Sequence, residues 1–283
     1  MGNVNYHFLV NALPELSDRA TERLSEIRLL IEDNLDVEGV EAFRYLLYRN
    51  DNKNLLKLMR KRDGILPATS AAHFYEPAVF RFEDLEDMLI SAYEGEAEIP
   101  GYMMAFLDEE KHAGWKVRDR ENRLIELYYD EGTQFPQEFI RSMFLFKRDL
   151  KNILLALNAR MHNFKVTRIT LGDYDLPVQL ATSTQSDFGL AGVYEYIPQL
   201  TALLTEGNLI GLEKTIDRLL LEHCATLVGE KIFSLNRVLY YFLDLSFAHR
   251  WSVLSNEKGA QALEELVADV IRTAERPLEG AFA

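Results

Sequence analysis

The sequence predicts an all-α fold of pseudo-three-fold repeated helical bundles that form a funnel or collar, with at most a short strand or two. Apolar residues recur every three or four positions over several long stretches, as they do on the inner face of an amphipathic helix. Alternation of apolar and polar residues is confined to 166–171. Of 283 residues, 15 are glycine and 8 are proline, so few breakers interrupt the helical patterns. Strong helical periods with sparse strand signals are typical of the all-α class.

The first elements are a short apolar stretch and a capped helix. Residues 6–13 are stopped by Pro14, which favours an edge strand or an ordered arm. Ser17 and Asp18 can then cap a helix, because their side chains accept hydrogen bonds from the first backbone N–H groups. Its apolar residues at helical spacing are Leu24, Ile27, Leu30 and Ile31.

A second, longer helical pattern covers 37–62 and ends at Asp63-Gly64. Residues 67–77 predict a loop, 82–93 an acidic helix, and 95–101 a boundary.

Helical periods continue beyond this boundary. The longest covers 136–162, and Pro136 suits a first helical turn, where its missing N–H matters least. Residues 166–171 predict a strand or an extended connector before Gly172-Asp173. The remaining helices are predicted at 102–110, 123–129, 194–205, 209–224, 232–251 and 260–273.

A repeat organises the chain. The segment 145–154 is a near copy of 47–56, 98 positions earlier, with five of ten residues identical. A recurring unit usually packs against its own copy. A weaker third match falls at 243–251, where Ser246 replaces the aspartate and His249 the asparagine. The repeat predicts three helical units in one continuous structural domain, at 1–95, 96–192 and 193–283.

The repeated polar residues are Asp51 with Asn54, and Asp149 with Asn152. Residues three apart share one side of a helix, and here apolar residues flank them. A partly buried polar pair must form hydrogen bonds, so we expect each pair to fasten its long helix to a neighbour. A partner interface is the alternative. Adjacent cations, such as Arg49 and Lys53, should keep the aspartates ionised and unsuited to acid catalysis.

Charge is unevenly distributed in this acidic chain of net charge −14. The segments 44–62 and 141–168 each hold seven basic residues and one acidic residue, so each carries +6 and the remainder carries −26. The net charge disfavours nucleic acid as a partner. The basic segments are either solvated helix faces or docking faces for acidic partners. The candidate docking residues are Lys57, Arg60, Lys61, Arg62, Lys147, Arg148 and Lys151.

No catalytic set, cofactor site or metal site is predicted. Glu109 and His112 form a lone Glu-x-x-His, whereas a di-iron site requires two such motifs and two further glutamates. Cys224 adjoins His223, but neighbours in sequence point in different directions on a helix. A single cysteine fits a reducing compartment, and neither a signal peptide nor a membrane span is predicted.

Two Asp-x-x-Asn-[Leu/Ile] motifs on long helices make the chain resemble the C/d family of rotary A/V-type ATPase subunits, whose eukaryotic members bear the letter d. The segments Leu-Tyr-Arg-Asn-Asp-Asn-Lys-Asn-Leu-Leu, Asn-Ile-Leu-Leu-Ala-Leu-Asn-Ala-Arg, Ser-Asp-Phe-Gly-Leu and His-Arg-Trp are similar to an uncharacterised bacterial family associated with V-type ATPase subunits. The third repeat departs from the C/d pattern.

The resemblance implies a non-catalytic subunit of the central stalk. Such a subunit seats the rotor shaft on the membrane-embedded proteolipid ring, so its expected partners are shaft subunits and the ring. The expected location is cytoplasmic and peripheral, at the inner face of the membrane. A helical scaffold of another complex is an alternative. A helical enzyme that uses a carboxylate and a histidine, such as Glu109 and His112, is a further one.

Overall fold

The computed structural model describes residues 6–16, 23–65, 74–95, 98–163, 166 and 170–255. Within these ranges the chain forms eleven α-helices and no strand, which confirms the predicted all-α class. The helices are α1 His7–Ala12, α2 Leu24–Glu32, α3 Val37–Arg62, α4 Phe82–Leu89, α5 Gly101–Ala113, α6 Val117–Gly132, α7 Glu138–Met161, α8 Asp175–Thr182, α9 Ile197–Thr205, α10 Leu209–Val228 and α11 Leu235–Ser255.

Helix α3 has the bounds that its sequence predicts. The Asp36 side chain caps its start by accepting a hydrogen bond from the Gly39 N–H at 2.9 Å, and the Tyr6 hydroxyl donates to the same carboxylate at 2.9 Å. Three basic residues occupy its last turn, where they complement the negative end of the helix dipole. Beyond it, Gly64 has a φ of +71°, a backbone conformation that glycine adopts without strain.

Some predicted elements differ from the observed ones. The stretch 6–13 is helical at His7–Ala12 and is not a strand. Pro136 precedes α7 instead of lying in its first turn. In 166–171, the described residues 166, 170 and 171 contain no strand. The predicted caps Ser17 and Asp18 and the predicted helix 260–273 lie outside the described residues.

The order of helix lengths recurs along the chain. Helices α3 to α6 have 26, 8, 13 and 16 residues, and α7 to α10 have 24, 8, 9 and 20. A long helix thus opens each series of four and a two-turn helix follows it. Helix α11, with 21 residues, would open a third series, and the chain beyond 255 lies outside the described residues. The three-fold arrangement and its three divisions stay predictions.

The described residues fall into two compact units. The first unit holds those within 6–13, 23–145 and 227–239, and the second unit holds those within 14–16, 146–226 and 240–255. In the first unit, α5 packs on α6, and α3 contacts both α4 and α6. Fully buried rings of the first unit include Phe43, Phe80 and Phe106. The core of the second unit includes Ile153, Leu180, Phe188 and Leu200. No described helix is both long and apolar enough to cross a membrane.

Candidate functional site: two loop clamps and the basic faces

The first Asp-x-x-Asn pair holds the segment that leads into α4. Asp51 has no exposed surface and Asn54 is 1% exposed. The N–H of Phe80 donates to Oδ1 of Asp51 at 2.9 Å, and the N–H of Val79 donates to Oδ2 at 3.0 Å. Asn54 accepts from the N–H of Tyr75 at 2.8 Å and donates to its carbonyl at 3.0 Å. We call Asp51 and Asn54, with these bonds, the first loop clamp.

The second loop clamp, Asp149 and Asn152, holds the segment that leads into α8. Asn152 accepts from the N–H of Leu171 at 2.7 Å and donates to its carbonyl at 2.9 Å. The hydroxyls of Tyr174 and Tyr194 donate to the Asp149 carboxylate at 2.7 and 2.8 Å. The asparagines therefore make the same backbone pair in both clamps, while the aspartates use different donors.

The clamps fasten loops and not neighbouring helices, which differs from the expectation. Each asparagine satisfies the two backbone groups of one residue that follows it by about one loop, 21 positions later in the first clamp and 19 in the second. Helix α3 also uses two residues that the repeat did not identify. Asn50 donates to the Pro77 carbonyl at 2.9 Å, and Asn52 accepts from the Tyr102 hydroxyl at 2.8 Å. The polar run 50–52 was the available signal, but Arg148 and Leu150 replace these two asparagines in the second copy.

The third long helix is held by different chemistry. The Ser246 hydroxyl, at the aspartate position, donates to the Phe242 carbonyl of its own helix at 2.7 Å. The Trp251 indole N–H instead donates to Asp217 of α10 at 2.9 Å, and Arg250 pairs with the same carboxylate. The contacts of α11 in the second unit therefore run to the preceding helix.

The ionisation of Asp51 differs from the sequence expectation. Burial raises its pKa from 3.8 to about 7, although the N–H groups of Phe80 and Val79 and the charge of Arg28 lower it. The exposed residues Arg49 and Lys53 stand two positions away on the helix and do not face Asp51. Loss of water around the carboxylate therefore outweighs the cations on the same helix.

We expect the free energy of unfolding to fall as the pH rises from about 4 to about 7. In this window the folded chain keeps the Asp51 proton while the unfolded chain releases it, so folding binds a proton and stability decreases with pH. One proton gives a slope of at most about 1.4 kcal/mol per pH unit. Urea unfolding of the native chain and of Asp51→Asn across this range measures it. The variant should lack this part of the slope, and equal slopes would refute the raised pKa.

The basic end of α3 is paired within the first unit. Arg60 forms an ion pair with Glu121, Lys61 lies 3.6 Å from Glu86, and Arg62 lies 2.8 Å from Glu110. The Lys57 ammonium lies 5.8 Å from the centre of the Tyr75 ring. Carboxylates that are distant in sequence therefore offset much of the +6 of this segment, and a docking role for these residues stays a prediction.

In the second basic segment, the Arg148 guanidinium stacks on the Tyr174 ring, 3.8 Å from its centre, and lies 3.9 Å from Asp149. It thus packs against the second loop clamp. Lys147 and Lys151 are half-buried on the same helix.

The other candidate groups are engaged in structural contacts. Both Glu109 oxygens accept from Arg123 at 2.7 Å, and this hydrogen bonding lowers the pKa of Glu109. Burial raises the pKa of the Cys224 thiol to about 12, and the His223 ring stacks on Phe146 at 4.4 Å. Among the described residues, no three His, Cys, Asp or Glu side chains converge as a metal site would require.

Comparison with known proteins gives one finding. No curated protein and no solved structure shows significant similarity to the chain. A family profile matches residues 3–273, which is most of the chain, under the description "Protein of unknown function (DUF2764)". The chain therefore belongs to the DUF2764 family.

Proposed function

We propose that the protein is a non-catalytic adaptor of the central stalk of a V/A-type ATPase, located between the rotor shaft and the membrane proteolipid ring. One observation carries the proposal. Two successive long helices use an Asp-x-x-Asn motif to clamp the loop that follows, and each opens a series of four helices in the same order of length class. The resemblance to the C/d family rests on this motif and on its repetition.

Rigid loops suit a part that transmits torque. A loop with unsatisfied backbone groups moves easily, whereas one whose N–H and carbonyl groups are bound to a buried side chain is fixed to its helix. Asn54 and Asn152 are 1% and 0% exposed, so water does not compete for these bonds. Torque transmission requires such stiffness and large apolar contacts, but no reactive group.

The proposed partners are the shaft subunits and the proteolipid ring. The protein would then act at the cytoplasmic face of the membrane as a peripheral subunit. The alternative of a helical enzyme gains no support from Glu109, since Arg123 binds both of its oxygens.

Purification of the tagged chain from its native membranes tests the proposal. Shaft and ring subunits should co-purify in fixed ratio, and deletion of the gene should uncouple ATP hydrolysis from ion transport. Asn152→Ala should weaken this association, because it releases the backbone of Leu171. Asn34→Ala is the matched control, since exposed Asn34 bonds only the Leu30 carbonyl of its own helix. An intact, coupled ATPase that lacks this chain would overturn the adaptor role, and co-purification with another complex would favour a scaffold.

A further inference from the structure

A groove of about 450 Å³ opens in the first unit and takes no part in the loop clamps. Helices α3, α5 and α6 and the turn after α6 form its walls. Buried rings form its floor, since Tyr45, Tyr102 and Phe135 are 3%, 2% and 5% exposed. Leu127 and Pro136 extend this apolar surface. The groove therefore offers aromatic and aliphatic contact at its base.

Carboxylates border this apolar floor. Glu41, Asp130 and Glu131 line the groove, and none of the described residues that line it is Lys, Arg or His. This distinguishes the groove from the basic end of α3, where carboxylates and cations alternate. The local charge is negative within a chain of net charge −14, so approach of a cation is favoured over a long range.

Glu131 is held in one orientation. The Tyr45 hydroxyl donates to Oε1 of Glu131, and this bond together with burial raises the pKa of Tyr45 well above its ordinary value. The other oxygen, Oε2, lies against the first residue of α5, because a Cβ at Gly101 would be 2.7 Å from it. Glu131 thus shapes the wall, while exposed Glu41 and half-buried Asp130 border the opening.

We propose that this groove receives a basic side chain, arginine foremost, presented by a helix of a partner protein. A guanidinium can stack on aromatic rings and pair with carboxylates at the same time. Its aliphatic stem would cover the apolar floor while its charge stays near the rim. A purely apolar occupant would remove water from the carboxylates without replacing it by a cation, and a nucleic acid would be repelled. Arginine side chains in pockets of this kind dominate the energy of many protein interfaces.

A titration with a defined probe tests the groove. The probe is a fluorescent, alanine-rich helical peptide with two arginines one turn apart, and its counterpart carries glutamines at those positions. Fluorescence anisotropy should show binding of the arginine peptide alone, weakened by salt. The double variant Glu41→Gln, Asp130→Asn should bind it about tenfold more weakly, since two partly exposed ion pairs are lost. Ala105→Trp, which obstructs the groove without a change of charge, should also weaken binding.

A matched control separates the groove from net charge. Glu206→Gln with Asp173→Asn removes two exposed carboxylates of the second unit and should leave the affinity unchanged. Thermal unfolding of each variant verifies that it is folded. Equal affinity of the native chain and the groove variants would overturn the proposal, as would absence of binding to the native chain up to about 1 mM peptide. The inference does not depend on the adaptor role, which the co-purification tests separately.

Discussion

Asp51→Ala is expected to lower the free energy of unfolding by about 3 kcal/mol, because two backbone N–H groups would lose their acceptor. The Asp51 side chain is fully buried and accepts from Val79 and Phe80. Phe80 is itself 1% exposed, so water cannot readily replace the carboxylate. Urea unfolding monitored by circular dichroism measures the change.

Asp149→Ala provides the internal comparison. Its carboxylate is half-buried and accepts from two tyrosine hydroxyls, which can rotate toward water when the acceptor is removed. We expect a loss of about 1 kcal/mol. The same motif position should thus show two different costs. Equal losses in the two variants would mean that the donors, backbone in one clamp and hydroxyl in the other, do not determine stability.

Reversal of the basic end of α3 is expected to destabilise the first unit by about 2 kcal/mol, after allowance for solvent screening of partly exposed pairs. The variant Arg60→Glu, Lys61→Glu, Arg62→Glu replaces three attractions, to Glu121, Glu86 and Glu110, by repulsions. It also removes cations from the last turn of a helix, where they are favourable. Chemical unfolding at low and at high salt measures the effect, which salt should reduce.

A charge swap is the control for this reversal. Glu121→Lys, Glu86→Lys and Glu110→Lys, combined with the reversed α3, restore opposite charges across the three pairs. Arg120 also contacts Glu110, at 3.1 Å, so recovery should be partial at that position. If the reversed chain keeps its full stability and loses only its association with the ATPase, these cations act as a docking face.

Local sequence signals were sufficient where an element is long and its ends are marked. Helix α3 was predicted to the residue because its apolar period is sustained and Asp63-Gly64 follows it. The two-turn helix α8 was missed, since eight residues with Pro177 among them show too little period to recognise. The apolar stretch 6–13 was predicted as a strand or an arm, because a short apolar run does not distinguish a helix from a strand.

The candidate site was partly predictable for a similar reason. The repeat identified Asp51, Asn54, Asp149 and Asn152, and their burial required hydrogen bonds. It could not identify the acceptor or donor across the chain, because those contacts join residues about 20 to 45 positions apart. Asn50 and Asn52 escaped notice since they do not recur in the second copy.

The sequence by itself determined the helical class, the long helices and the repeated polar pairs, because helical period and side-chain type are local properties. Only the tertiary structure decided that the pairs clamp loops, that carboxylates on other helices neutralise the basic end of α3, and that Asp51 titrates near pH 7. Each depends on which groups from distant segments meet and on how much water they exclude. The acidic groove is of the same kind, since its residues, from Glu41 to Pro136, converge only in the folded chain.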